Sequence, residues 1–225
     1  MNILYDLFPN LERLGGEFLR SVEQTATMIG VSGTIARILG IAVGVLLVTT
    51  RPGGILEHRV LFTVFDRLID IIRSIPFIIL IVLLIPLSRL LVGTGSGVTG
   101  SFVALVFGTV PFFARQIESV LSEVDAGLIE ASEAMGFSPR EIIFGVYLKE
   151  CIPGITRVTM ITFVSFIGIT AIAGAIGAGG IGDFAIRYGY QMGYRDMIWL
   201  SVFVILAVIS LFQWAGNAII RRTTH

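Results

Sequence analysis

Five stretches of this chain, about 22–48, 60–87, 98–115, 155–178 and 197–220, are apolar and long enough to cross a lipid bilayer as helices. The expected fold class is therefore an all-α integral membrane protein of about five transmembrane helices, with the bilayer as its main solvent. Only 14% of the 225 residues are charged, where soluble domains carry roughly 25%. That length suits one membrane domain and leaves no room for an attached soluble enzyme domain. Two histidines and one cysteine make a Cys/His metal cage untenable, and a lone cysteine forms no internal disulfide.

Residues 1–20 do not read as a signal peptide, because Asp6, Glu12, Arg13, Glu17 and Arg20 interrupt any apolar core. Leu4, Leu7, Phe8, Leu11, Leu14 and Phe18 recur at helical spacing instead, predicting an amphipathic helix in the membrane interface. The remaining organisation is a membrane domain over 21–220 and a short basic tail at 221–225. Pro76 and Pro86 predict kinks or ends in the second span, and Pro111 lies near the end of the third. Gly40 and Gly44 form a small-xxx-small pair of the kind that lets helices approach closely.

Orientation follows from the basic residues. With five spans and the C-terminus inside, ten arginines and lysines, among them Arg51, Arg115, Arg140 and Arg221, fall on the cytoplasmic side and five on the other. The N-terminus is then outside, and the polar region at about 118–153 is a cytoplasmic loop. Within it, Glu130 to Met135 favours a helix, Gly136 suits a left-handed helix end, and Ser138-Pro139-Arg140-Glu141 restarts a helix with a capping box. Helix, glycine corner, helix is also the outline of a DNA reader. Between Glu118 and Arg157, however, seven acids face three bases, and a surface of net charge −4 is repelled by phosphate. The loop wants a protein, not a nucleic acid.

Catalytic chemistry finds few parts. The one internal histidine, His58, lies in a short loop, and no serine sits in a nucleophile-elbow pattern. Asp66 and Asp70 are one turn apart but have basic neighbours, which suits ion-paired boundary charges. Gly177-x-Gly179-x-x-Gly182 matches a dinucleotide fingerprint by letter. It lacks the preceding strand and the acid some 20 positions on, so it predicts tight turns or close helix contact instead. Arg37 lies about 21 Å of helix from Arg51, deep in the first span. It either lines a pathway or subunit contact, or snorkels from a shifted span. Thr159, Thr162 and Ser165 of the fourth span either line a pathway or bond their own preceding carbonyls.

Glu130-Ala131-Ser132, Gly136 and Val146-Tyr147-Leu148-Lys149 together resemble the EAA loop of the permease subunits of bacterial ATP-binding-cassette importers. Lys149 stands where that signature has proline, so the second loop helix is free to run on toward Pro153. Within the class the chain resembles the methionine-uptake permeases. Thr50-Arg51-Pro52-Gly53, Arg73-Ser74-Ile75-Pro76-Phe77 and the run from Ala173 to Asp183 carry that likeness. The resemblance implies a bacterial inner-membrane homodimer, a dimer of cytoplasmic ATPase subunits and an extracytoplasmic substrate-binding lipoprotein. It also implies no catalytic residue, metal or cofactor in this chain, with ATP and Mg held by the partner. The coupling contact would be made by Glu130, Ala131, Ser132, Glu133, Ala134, Gly136, Ser138 and Pro139. A permease for another small solute, or a stand-alone channel, would be the alternatives.

Overall fold

The computed structural model describes residues 7–223, so Leu4 of the amphipathic pattern and the last two tail residues lie outside it. Among the described residues there are ten helices and no strand. In chain order they are α1 (Leu11–Thr50), α2 (Arg59–Ser74), α3 (Phe77–Leu83), α4 (Ile85–Val92), α5 (Gly97–Leu121), α6 (Ala126–Ala134), α7 (139–150), α8 (Ile152–Ala173), α9 (180–191) and α10 (Arg195–Thr223). Four segments are single helices of spanning length and composition: α1, α5, Ile152–Ala178, which contains α8, and α10. The second expected span is present as three pieces, α2, α3 and α4. Its breaks fall where proline removes a backbone donor, at Pro76 and at Pro86 in the first turn of α4.

Two of the helices run further than hydropathy suggests. The amphipathic N-terminal segment does not stop before the first span. It is the start of the same 40-residue helix, which widens into a π turn over Ile29–Gly33. No proline separates the two segments, and an extra residue in one turn shifts the apolar face without breaking the helix. The third span continues through Pro111 to Leu121 instead of ending near 115.

The chain forms two compact units whose boundaries fall inside helices. The first unit comprises the chain up to Ile35, Pro76–Phe107 and Phe163–Phe212. Its core has two clusters. Met28, Leu105, Phe166 and Ala173 make one; Leu14, Phe18, Phe184, Met197 and Leu200 make the other. Phe18 meets Phe184 edge to face at 5.2 Å, so the apolar face of the N-terminal segment is covered by protein. The glycine run after α8 brings backbone against backbone. A Cβ on Gly174 would stand 2.7 Å from both the Asp183 nitrogen and the Gly179 oxygen. The GxGxxG letters therefore mark a tight turn and close approach, as the absent strand implied.

The second unit comprises Ala36–Ile75, Gly108–Thr162 and the chain from Gln213 onward. Val48, Phe113, Ile117, Leu121, Ile142, Val146 and Tyr147 are buried together in it. Gly40 and Gly44 of α1 lie directly on Phe113 and Ile117 of α5. Beside this seam Arg115 holds three carboxylates at once: Asp66 at 2.8 Å and Asp70 at 2.9 Å from α2, and Glu118 at 2.7 Å from its own helix. This explains why α5 persists past its first charge, since the guanidinium is paired as it leaves the apolar run. Arg115→Ala would leave three acids facing one another. At this half-buried site the loss is expected to be about 1–3 kcal/mol, below the cost of breaking a fully buried pair. Asp70→Asn, at the most exposed of the three carboxylates, is expected to cost well under half as much. Thermal unfolding of the two variants in detergent compares them.

Candidate coupling site

The loop between α5 and α8 is built from local rules, each visible in its hydrogen bonds. Asp125 caps α6, its carboxylate accepting from the N–H groups of Gly127 (2.7 Å) and Leu128 (3.2 Å). Ile129 and Ser132 point into the second unit and are buried, and the Ser132 hydroxyl donates to the Leu128 carbonyl at 2.7 Å. The end of α6 is a complete Schellman turn. Gly136 N–H donates to the Glu133 carbonyl (2.9 Å) and Phe137 N–H to that of Ser132 (3.1 Å), with Gly136 at φ +84°. Two residues on, Ser138 and Glu141 form the expected capping box. The Ser138 N–H donates to Glu141 Oε2 at 2.8 Å, and the Glu141 N–H donates to Ser138 Oγ at 3.4 Å. The Ser138 hydroxyl and amide hold the Glu141 carboxyl below the usual carboxylate range. The box is therefore intact above that range and is lost only as pH falls through the lowered pKa.

Helix α7 is anchored by Ile142, Val146 and Tyr147, all buried, and its middle widens into a π turn over Ile143–Tyr147. Burial also pushes the Tyr147 phenol up. The helix does not run on to Pro153. It ends at Glu150, with Cys151 at the joint, so the position taken by Lys149 does not prolong it by more than a residue. Pro153 sits in the first turn of α8 without a donor for the Lys149 carbonyl, which is enough to part the two helices.

These anchors leave one contiguous stretch uncovered. Glu130, Ala131, Glu133, Ala134, Gly136, Ser138 and Pro139 are exposed, while Ser132 is not; it is the inward bolt of α6. Three apolar side chains missing from the sequence-derived set join them: Met135 (66% exposed), Phe137 and Phe144 (70% exposed). The signal in the sequence for Met135 and Phe137 was an apolar residue on either side of a left-handed glycine in a polar loop; Phe144 had none. Large apolar groups left exposed at and beyond a rigid corner in a polar loop mark an interaction surface.

The residues expected along a pathway are not gathered in this way. Thr159 donates to the Ile155 carbonyl at 2.7 Å, as Thr156 and Thr170 do to their own preceding carbonyls. Ser165 is exposed, and the Thr162 hydroxyl is buried without a hydrogen-bond partner among the described residues. Arg37 is exposed on α1 and has no ionic partner among the described residues. His58 accepts from the Leu61 N–H at 3.1 Å and is the N-cap of α2, which accounts for it without catalysis.

Residues 36–225 match the family described as binding-protein-dependent transport system inner membrane component. The chain belongs to that family. This permease component is 40% identical over 207 residues, 92% of each chain, to the probable D-methionine transport system permease protein MetI of Vibrio cholerae. It is 38% identical over 174 residues, covering 77% and 78% of the two chains, to the methionine import system permease protein MetP of Bacillus subtilis. The permease also superposes with a TM-score of 0.90 at 39% identity on a chain of the MetNI methionine ABC transporter in an inward-facing conformation, covering 95% and 99% of the two chains. A chain of an amino acid ABC transporter with histidines shares the fold at a TM-score of 0.76 and 18% identity, covering 96% and 98%. The resemblance carried by the EAA-like letters is borne out at the level of family and fold.

Proposed function

We propose that this permease component forms, as a homodimer, the membrane pathway of an ATP-driven importer for methionine and related amino acids. The exposed corner from Glu130 to Phe144 is its contact with the ATPase. The observation that carries the coupling role is that corner itself: a doubly capped, inward-bolted helix pair with Met135, Phe137 and Phe144 left uncovered. Ala131, Ala134 and Gly136 present a surface of small residues for a groove on the partner, and Glu130 and Glu133 supply polar anchors at its edge. Ser138 and Pro139 set the angle at which the second helix leaves. ATP and Mg bind to the partner subunits, and substrate arrives on an extracytoplasmic lipoprotein. The chain sits in the bacterial inner membrane with its N-terminus outside and its C-terminus in the cytoplasm, the arrangement its arginines favour.

The mechanism asks the corner to transmit work. Closure of two ATPases around ATP would draw the two corners together and tilt the spans, exchanging inward for outward access. Moving such a switch from 1:99 to 99:1 takes about 5.5 kcal/mol of differential binding. A corner that frayed would dissipate that energy, and Asp125, the Schellman turn and the capping box each oppose fraying. Arg37, exposed and without an ionic partner among the described residues, fits a position facing water or the second copy. Of the hydroxyl residues of α8, Ser165 is the exposed one and the candidate to face a pathway, while Thr159 is bonded to its own helix and Thr162 is buried.

Uptake separates this reading from its nearest rival, a permease for another small solute. Cells without their own methionine importers, given this chain with its ATPase and lipoprotein partners, are expected to accumulate labelled methionine. Unlabelled methionine should compete and sugars or inorganic ions should not. Accumulation of a different solute, uncontested by methionine, would favour the rival.

A further inference from the structure

Two adjoining cavities lie wholly within the first unit. One, of about 290 Å³, is walled by charged and polar groups including Glu17, Arg20, Gln24, Asp183 and Arg187. The other, of about 230 Å³, is walled by Ile81, Val82, Ile85 and Ile176, and otherwise by glycine, alanine and serine. They share Gly97, Gly177 and Ala178 as a common wall. Together they fall within the size of small-ligand sites, roughly 300–1,000 Å³.

The charges are arranged in two different ways. Asp183 and Arg187 are paired at 3.1 Å. Glu17 and Arg20, one helical turn apart on α1 at the open side of the chamber, are exposed and pair neither with each other nor with any other described residue. Gln24 is spoken for, its Oε1 accepting from the Gly180 N–H at 2.8 Å. The wall between the chambers carries almost no side chain. Gly97 (φ +70°) and Gly177 (φ +97°) both hold backbone conformations that disfavour other residues, and a Cβ at either would meet nothing within 4 Å. The shared wall is thus bare backbone at Gly97 and Gly177, with open space beside it. A charged chamber with one unengaged carboxylate and one unengaged guanidinium matches the two ends of a zwitterion. An apolar chamber on the other side of that glycine wall matches that molecule's side chain.

We infer that the two chambers form one binding site for a zwitterionic amino acid with an apolar side chain. Its carboxylate faces Arg20, its ammonium faces Glu17, and its side chain enters the chamber of Ile81, Ile85 and Ile176. The site rests on the amino-acid import reading above and adds to it a resting place on the permease itself, separate from the lipoprotein. It also states what selects the ligand: both charges of the head group and an apolar tail, with no demand for the sulfur, so norleucine should substitute for methionine.

The complete importer carrying Ser96→Cys, a small replacement in the wall of the apolar chamber, supplies the test. Thiol labelling at position 96 is measured in the detergent-purified permease–ATPase complex without lipoprotein, with millimolar L-methionine, norleucine or methionine methyl ester. Native Cys151 is buried, and burial pushes its thiol up, so it labels slowly. Methionine and norleucine are expected to slow labelling severalfold, and the ester, which lacks the carboxylate, is not. Arg20→Gln should weaken the protection roughly 10- to 100-fold in methionine concentration, the usual worth of a hydrogen bond to a charged group. Arg20→Lys should keep most of it, which also shows that the chain folds with this position altered. Labelling at the same rate with and without methionine, in a complex that still imports methionine, would overturn the site and leave the import reading standing. A complex that imports no methionine would overturn both.

Discussion

Gly136→Val is expected to cut methionine uptake by more than tenfold while the chain still inserts and still assembles with its ATPase. At φ +84° the glycine sits where a β-branched residue is a severe outlier. A Cβ there would meet nothing within 4 Å, so the damage comes from the backbone and not from a clash. Left-handed geometry costs an L-residue roughly 1–2 kcal/mol before branching is counted. The loop can escape that cost only by opening the Schellman turn, which frees the Glu133 and Ser132 carbonyls and swings Phe137 and Ser138 to a new angle. The core anchors Ile129, Ile142 and Tyr147 lie on either side of the turn and stay buried, so the membrane domain itself is spared. ATP hydrolysis should therefore continue while transport falls by more than tenfold. Gly136→Asn, which tolerates the left-handed region, should retain most of the uptake. If valine transported normally, the corner would not be the coupling element.

Gly44→Leu is the change expected to lower the yield and melting temperature of the protein most. A Cβ at Gly44 would stand 2.5 Å from Ile117 Cγ2 and 2.9 Å from the Ala114 carbonyl oxygen. The carbonyl cannot move aside without carrying α5 with it. Overpacking a close helix seam typically costs about 1–3 kcal/mol, and leucine adds three more heavy atoms to a space that already refuses the first. Gly40→Leu should behave similarly, because its Cβ would meet Phe113 at 2.5 Å. Gly16→Ala, on the same helix with nothing within 4 Å, should be neutral or stabilising by up to about 1 kcal/mol. Yield of monodisperse protein and its melting temperature in detergent distinguish the three.

The same contrast shows which features were legible in the sequence. The corner was readable because its chemistry is local: glycine for the left-handed turn, serine and glutamate three apart for the box. The two prolines of the second span likewise announced its breaks. The length of α5 was not readable, since Arg115 looks like the end of an apolar run until Asp66 and Asp70 arrive from 45 to 49 residues away to neutralise it. The N-terminal segment looked like a separate interfacial helix because Phe184, Met197 and Leu200, which cover its apolar face, come from the far end of the chain. The Gly40–Gly44 pair is common in membrane helices, and only Phe113 and Ile117 give it a partner. Met135, Phe137 and Phe144 could be assigned to a surface only once Ile129, Ser132 and Ile142 were seen to take the inward positions.

Contact between the exposed corner and the ATPase is the central claim, and a site-directed cross-link measures it most directly. Ala134→Cys places a thiol on the exposed side of α6, while buried Cys151 stays quiet. In the purified complex, a short thiol-reactive photo-cross-linker at position 134 is predicted to join this chain to the ATPase subunit in high yield, with the yield changing when a non-hydrolysable ATP analogue closes the ATPases. An intact, transporting complex in which position 134 cross-links only to lipid or to other parts of the permease would contradict the account.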